Sequence, residues 1–132
     1  MISTLLGAIL PFILWPIELI LPYPYLVEEI AKVILVFLII RTTSKSKDRI
    51  QLVLFAGLLF SISESVMYLF NIYQIGSIET LFLRLILTIP LHVGTMLIFL
   101  FFGIKRKELT FLGLLLAIPI HYYFNILVSR IQ

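Results

Sequence analysis

Residues 22–38 read PYPYLVEEIAKVILVFL, and this stretch decides the fold. From Val33 to Leu38 it is aliphatic and aromatic, as a helix in lipid should be, yet Glu28, Glu29 and Lys32 stand at its head. Such a segment can enter a membrane only if other helices shield its polar end. Pro22 and Pro24 mark where the helix starts. A purely local reading is open too. Carboxylates near a helix N-terminus suit its dipole, and Glu28 with Lys32 makes an ordinary i,i+4 pair. The rest of the chain has to decide between them.

The 132 residues are 61% hydrophobic and 13% charged, with a mean hydropathy of +1.15. Soluble domains carry about 45–50% apolar and roughly 25% charged residues, so the composition is that of an integral membrane protein. Five segments approach the ~20 apolar residues a spanning helix needs: roughly 3–21, 25–41, 50–72, 79–103 and 109–129. The expected architecture is an all-α bundle of about five transmembrane helices forming one membrane domain over residues 1–132. The first 21 residues contain no basic n-region and no small-x-small cleavage site, and are read as a retained helix. With no cysteine, disulfides and thiolate chemistry are excluded. The net charge of +3 sits in short loops between apolar runs, which argues against nucleic acid and leaves the lipid bilayer as the surroundings.

Arg41, Lys45, Lys47 and Arg49 flank the second connection, and Lys105, Arg106 and Lys107 fill the fourth. Seven of the ten Lys and Arg residues therefore fall on one side. The positive-inside rule makes that side cytoplasmic, with the N-terminus inside and the C-terminus outside.

Ionisable residues within membrane spans are costly and mark candidate sites. Besides Glu28, Glu29 and Lys32, the third segment carries Glu64 with Tyr68 one turn on, and the fourth carries Arg84 and His92 on one face. Along the fifth run Gly113, Ala117, His121, Asn125 and Ser129, a stripe of small and polar residues suited to close helix contact. In the expected topology these faces converge in the outer half of the bilayer, so four of the five helices carry the polar site. Three carboxylates against Lys32 and Arg84 leave one without a permanent partner, close to two histidines of adjustable charge. Ser61, Ser65, Thr88 and Thr95 are read as packing residues, and Glu18 and Glu79, near segment ends, as interfacial.

The order V-E-E-I-A-K at 27–32, S-E-S-V-M-Y at 63–68, R-L-I-L-T-I-P-L-H at 84–92 and H-Y-Y-F-N at 121–125 resembles the PrsW family of intramembrane proteases. That family is related to the CAAX prenyl protease group and to the multi-helix scaffold subunit of gamma-secretase. Its pattern is E-E-x-x-K, E-x-x-x-Y, an Arg eight residues before a His, and H-x-x-x-N, each on its own helix. The resemblance covers about residues 27–126 of a core spanning 25–129, with 3–21 as a leading helix. Asp48 stands sixteen residues before Glu64, where the family often has an Asp. The chain departs from the pattern at Arg49, where glycine is usual, at Ser65, where Asn is common, and at Met96, where a small residue is frequent.

The resemblance implies a peptidase acting on a transmembrane protein, with a glutamate-activated water and no cofactor. Glu28 is then the general base, and Glu29 orients the site or holds a second proton, with Lys32 fixing its charge. His92 and His121 hold the water or donate to the oxyanion, and Asn125 supplies an amide donor. Glu64 and Arg84 form a supporting pair, with Tyr68 beside them. Two alternatives stay open. One is a zinc-dependent peptidase, since two His and one Glu make a three-ligand set. The other is a non-catalytic membrane scaffold of the same fold. A proton-coupled transporter fits less well, because the chain has no internal repeat.

Overall fold

The computed structural model describes residues 2–75 and 78–129, with side chains at 4–67, 79, 82–83 and 85–129. The helices are α1 (Ile2–Glu18), α2 (Pro24–Thr42), α3 (Ser46–Ile75), α4 (Ile78–Lys105) and α5 (Leu114–Ser129), with a 3-10 segment, Lys107–Gly113, leading into α5. No strand occurs among the described residues. The all-α membrane bundle expected from the sequence is what the chain forms. Among the described residues three stretches are long and apolar enough to cross a membrane, Ser46–Met67, Leu85–Lys105 and Lys107–Ser129, and Thr4–Glu18 is a shorter apolar helix. α2 stands outside this set, since Glu28, Glu29, Lys32 and Arg41 all lie within its 19 residues.

The bundle explains how α2 is tolerated, because it packs against every other element. Val33, Val36, Ile39 and Ile40 of α2 are buried with Val53, Ala56 and Phe60 of α3, Met96, Phe99 and Leu100 of α4, and Ala117 of α5. Large apolar side chains elsewhere, among them Phe55, Ile86, Phe101 and Leu115, face outward, as lipid requires.

Pro24 occupies the start of α2, where its missing N–H costs nothing. Glu28 and Glu29 therefore lie beyond the first turn, where the helix dipole has little hold. The dipole reading of these carboxylates loses its geometric basis. At the other end of α2, Arg49 donates to the backbone carbonyls of Thr43 (2.6 Å) and Ile40 (3.1 Å). It satisfies acceptors that the helix terminus leaves open, which gives the arginine found in place of a usual glycine a structural task.

Between helices already surrounded by lipid, association depends on close packing rather than on the hydrophobic effect. A Cβ on Gly7 of α1 would lie 2.6 Å from the Ala56 carbonyl oxygen, and one on Gly57 of α3 would lie 2.9 Å from Val93 Cα. Both contacts are with backbone, which cannot swing aside. Gly57→Ala is expected to destabilise by about 1–3 kcal/mol, the usual cost of overpacking. Gly94→Ala, with nothing within 4 Å of the added carbon, should be neutral. Thermal unfolding of the two variants in detergent checks this, and equal melting temperatures would refute the tight α3–α4 contact.

Candidate active site

Four helices deliver one connected set of buried polar side chains. Lys32 pairs with Glu29 one turn away on α2, and its Nζ reaches Nδ1 of His92 on α4 at 2.8 Å. Nε2 of the same ring meets Glu64 of α3. On the far side, Glu29 Oε1 lies 2.6 Å from Nδ1 of His121 on α5. The chain of contacts runs Glu64, His92, Lys32, Glu29, His121 and ties α3, α4, α2 and α5 together. Glu29, Lys32 and His92 are fully buried, and His121, Glu28 and Glu64 nearly so.

The partners assign the tautomers. An ammonium only donates, so Nδ1 of His92 accepts and its proton sits on Nε2, where it is given to the Glu64 carboxylate. At His121, Glu29 accepts from Nδ1–H, which leaves Nε2 of the neutral ring as an acceptor. That lone pair faces Glu28 Oε2 at 3.9 Å. Glu28 Oε2 also lies 4.0 Å from both His92 Nδ1 and Lys32 Nζ, and it has no hydrogen-bond partner. Two acceptors at this separation call for a donor or a cation between them. A water can donate to both, and polar groups beyond about 3.5 Å are commonly bridged this way.

Aromatic rings enclose the set. The Phe60 ring lies tilted against His92 with centroids 4.9 Å apart, and Lys32 Nζ is 5.0 Å from the centre of the same Phe60 ring. The two histidine rings meet edge-on at 5.5 Å, and Tyr25 lies 6.2 Å from His121. The hydroxyls mostly serve their own helices: Ser61 donates to the Gly57 carbonyl (2.9 Å), Ser65 to Ser61 (2.8 Å) and Thr95 to His92 (3.3 Å).

The structure brings together Glu28, Glu29, Lys32, Glu64, His92 and His121. It leaves Asn125 exposed one turn beyond His121. The side chains of Tyr68 and Arg84 lie outside the described residues, and with them the expected Glu64–Arg84 pair. Glu64 is in contact with His92, inside the centre.

Tyr25 was not singled out in the sequence, and Glu18, expected to be interfacial, lies beside the centre. Glu18 is half-buried and lines a cavity of about 180 Å³ with Glu28 and Glu64. The signal was available in the turn. α1 ends at Glu18 and α2 begins at Pro24, so a helical hairpin returns the second turn of α2 alongside the end of α1.

A divalent cation is testable against this donor set. Glu28, Glu64 and His92 each offer a ligand atom within 4.8 Å of the others. With Glu29 and Lys32 included, three carboxylates against one ammonium leave two negative charges in the centre, to be met by protons or by one such ion. Donor type and charge both fit zinc.

The chain is an all-α membrane bundle built round a buried set of ionisable side chains. The model of a family described as PrsW family intramembrane metalloprotease matches residues 20–132. The chain belongs to this family, as its four motifs suggested, and its broad class is that of a membrane-embedded protease. No curated protein and no solved structure matches it significantly.

Proposed function

We propose that the chain hydrolyses a peptide bond of a single-span membrane protein with a water activated by Glu28. The observation that carries this reading is the orphaned Glu28 Oε2 set 3.9 Å from the bare Nε2 of His121. A water donating to both atoms has its own lone pair free for a substrate carbonyl. Glu28 takes the proton as the carbon–oxygen bond forms, and returns it to the leaving amine as the carbon–nitrogen bond breaks. Glu29 keeps His121 in the tautomer that accepts from the water, and Lys32 does the equivalent for His92. The Lys32 ammonium, 4.0 Å from Glu28, also offsets charge developing on the tetrahedral intermediate. Asn125, exposed beside this centre, is assigned to the oxyanion as the substrate arrives. Tyr68 and Arg84 are assigned supporting roles. Following the loop charges, the site opens in the outer half of the bilayer and cleavage falls near the substrate's outer boundary.

The donor set and the family description favour a second reading, in which zinc is held by Glu28, Glu64 and His92. The ion would act as a Lewis acid toward water or carbonyl, while Glu29 and His121 keep the orienting tasks just given; Lys32 would keep its pairing with Glu29 and give up its hydrogen bond to His92, whose lone pair the ion would take. Chelation separates the two readings. In liposomes with a single-span reporter, cleavage by the purified protein is expected to withstand 1,10-phenanthroline, with metal analysis finding well under one zinc per chain. Cleavage lost on chelation and restored by zinc would move the assignment to the metal.

A further inference from the structure

α1 closes one side of the centre. Pro11, Trp15 and Glu18, with Leu19 just beyond, wall a cavity that Pro24, Glu28, Phe60, Glu64 and Met67 complete from α2 and α3. Its volume of about 180 Å³ is room for roughly six waters at ~30 Å³ each, or for one long side chain. Among the described residues that line it, three are carboxylates and none is Lys, Arg or His. The nearest described ammonium, Lys32, is engaged by Glu29 and His92. Glu28 is only 6% exposed, and its Oε2 has no hydrogen-bond partner. Trp15 and Phe60 add aromatic faces, which attract cations, and Pro11, Leu19, Pro24 and Met67 give apolar wall for a methylene stem. Glu18 precedes residue 20, where the family match begins.

We propose that this cavity is a subsite for a Lys or Arg side chain of the substrate, with Glu18 as its specificity-determining carboxylate. The peptidase reading supplies only the source of the cation; the cavity's preference for positive charge stands without it. Glu18, half-buried at the end of α1, meets an arriving ammonium or guanidinium before Glu28 and Glu64 do.

The native chain has no cysteine, so a single Leu19→Cys reports on the cavity. The full chain in detergent is labelled with a cationic trimethylammonium-ethyl and an anionic sulfonatoethyl methanethiosulfonate. Charge-lined clefts concentrate counter-ions by about 10–1,000-fold, so the cationic reagent is expected to react at least about tenfold faster relative to the anionic one. Adding Glu18→Gln should collapse most of that ratio, and Glu18→Asp should keep it. n-Butylguanidinium should slow the labelling, and n-butanol should not. A ratio unchanged by Glu18→Gln overturns the proposal, as does protection by zinc with none by n-butylguanidinium. Labelling needs no turnover. A chain that cuts nothing yet shows this selectivity keeps the cation site and loses the peptidase reading, and one that cuts without the selectivity does the reverse.

Discussion

Lys32→Met is expected to destabilise the protein by about 3–5 kcal/mol, the range for breaking a buried ion pair by removing one partner. The ammonium is fully buried and serves two neighbours at once, the Glu29 carboxylate and Nδ1 of His92. Methionine fills the space but leaves a carboxylate short of its counter-charge and an imidazole nitrogen without a donor. Both groups are fully buried, so each is left to bear the cost of an unpaired polar group. Pairing the change with Glu29→Gln removes the stranded charge, so the double variant should recover part of the loss and show a coupling of order 1–3 kcal/mol. Thermal and denaturant unfolding in one detergent measure this. A Lys32→Met protein within about 0.5 kcal/mol of the wild type would mean that the ion pair carries none of the fold.

Glu28→Gln is expected to behave in the opposite way. Its Oε2 makes no hydrogen bond and sits among acceptors and one ammonium at about 4 Å, so a carboxamide of the same shape breaks no contact. Stability should hold or rise. Cleavage should fall by about a thousandfold, within the span attributed to positioned general bases, because an amide cannot take the proton of the attacking water. A group kept at a cost to stability and needed for turnover is the mark of function; a group serving the fold loses both together. Lys32 belongs to the second kind on this account and Glu28 to the first.

Much of this was legible in the residues. Charged residues at the head of an apolar run required that α2 be surrounded, and α2 does pack against every other element. Basic loops and apolar runs gave five helices, and the ionisable residues named the centre. The rotation of each helix was harder to read. Arg84 and His92 share a face of α4 at eight-residue spacing, and the expected Glu64–Arg84 pair did not include His92, with which Glu64 is in contact. The stripe on α5 shows a different limit. Steps of four residues overshoot a 3.6-residue turn by about 40° each, so Ala117 and His121 are buried while Asn125 has drifted to the surface. Glu18 reads as interfacial when α1 is taken as a separate leading helix, and only the packed hairpin places it beside Glu28 and Glu64.

The most direct measurement compares new protein termini, by mass spectrometry, in membranes expressing equal amounts of wild type and Glu28→Gln. The account predicts cuts in membrane-protein segments that appear with the wild type and are absent with the variant, although the variant is folded to the same extent. Identical termini from the two proteins, in membranes where the wild type does cut, would show that Glu28 does not activate the water. No cuts from either would favour the non-catalytic scaffold over the peptidase.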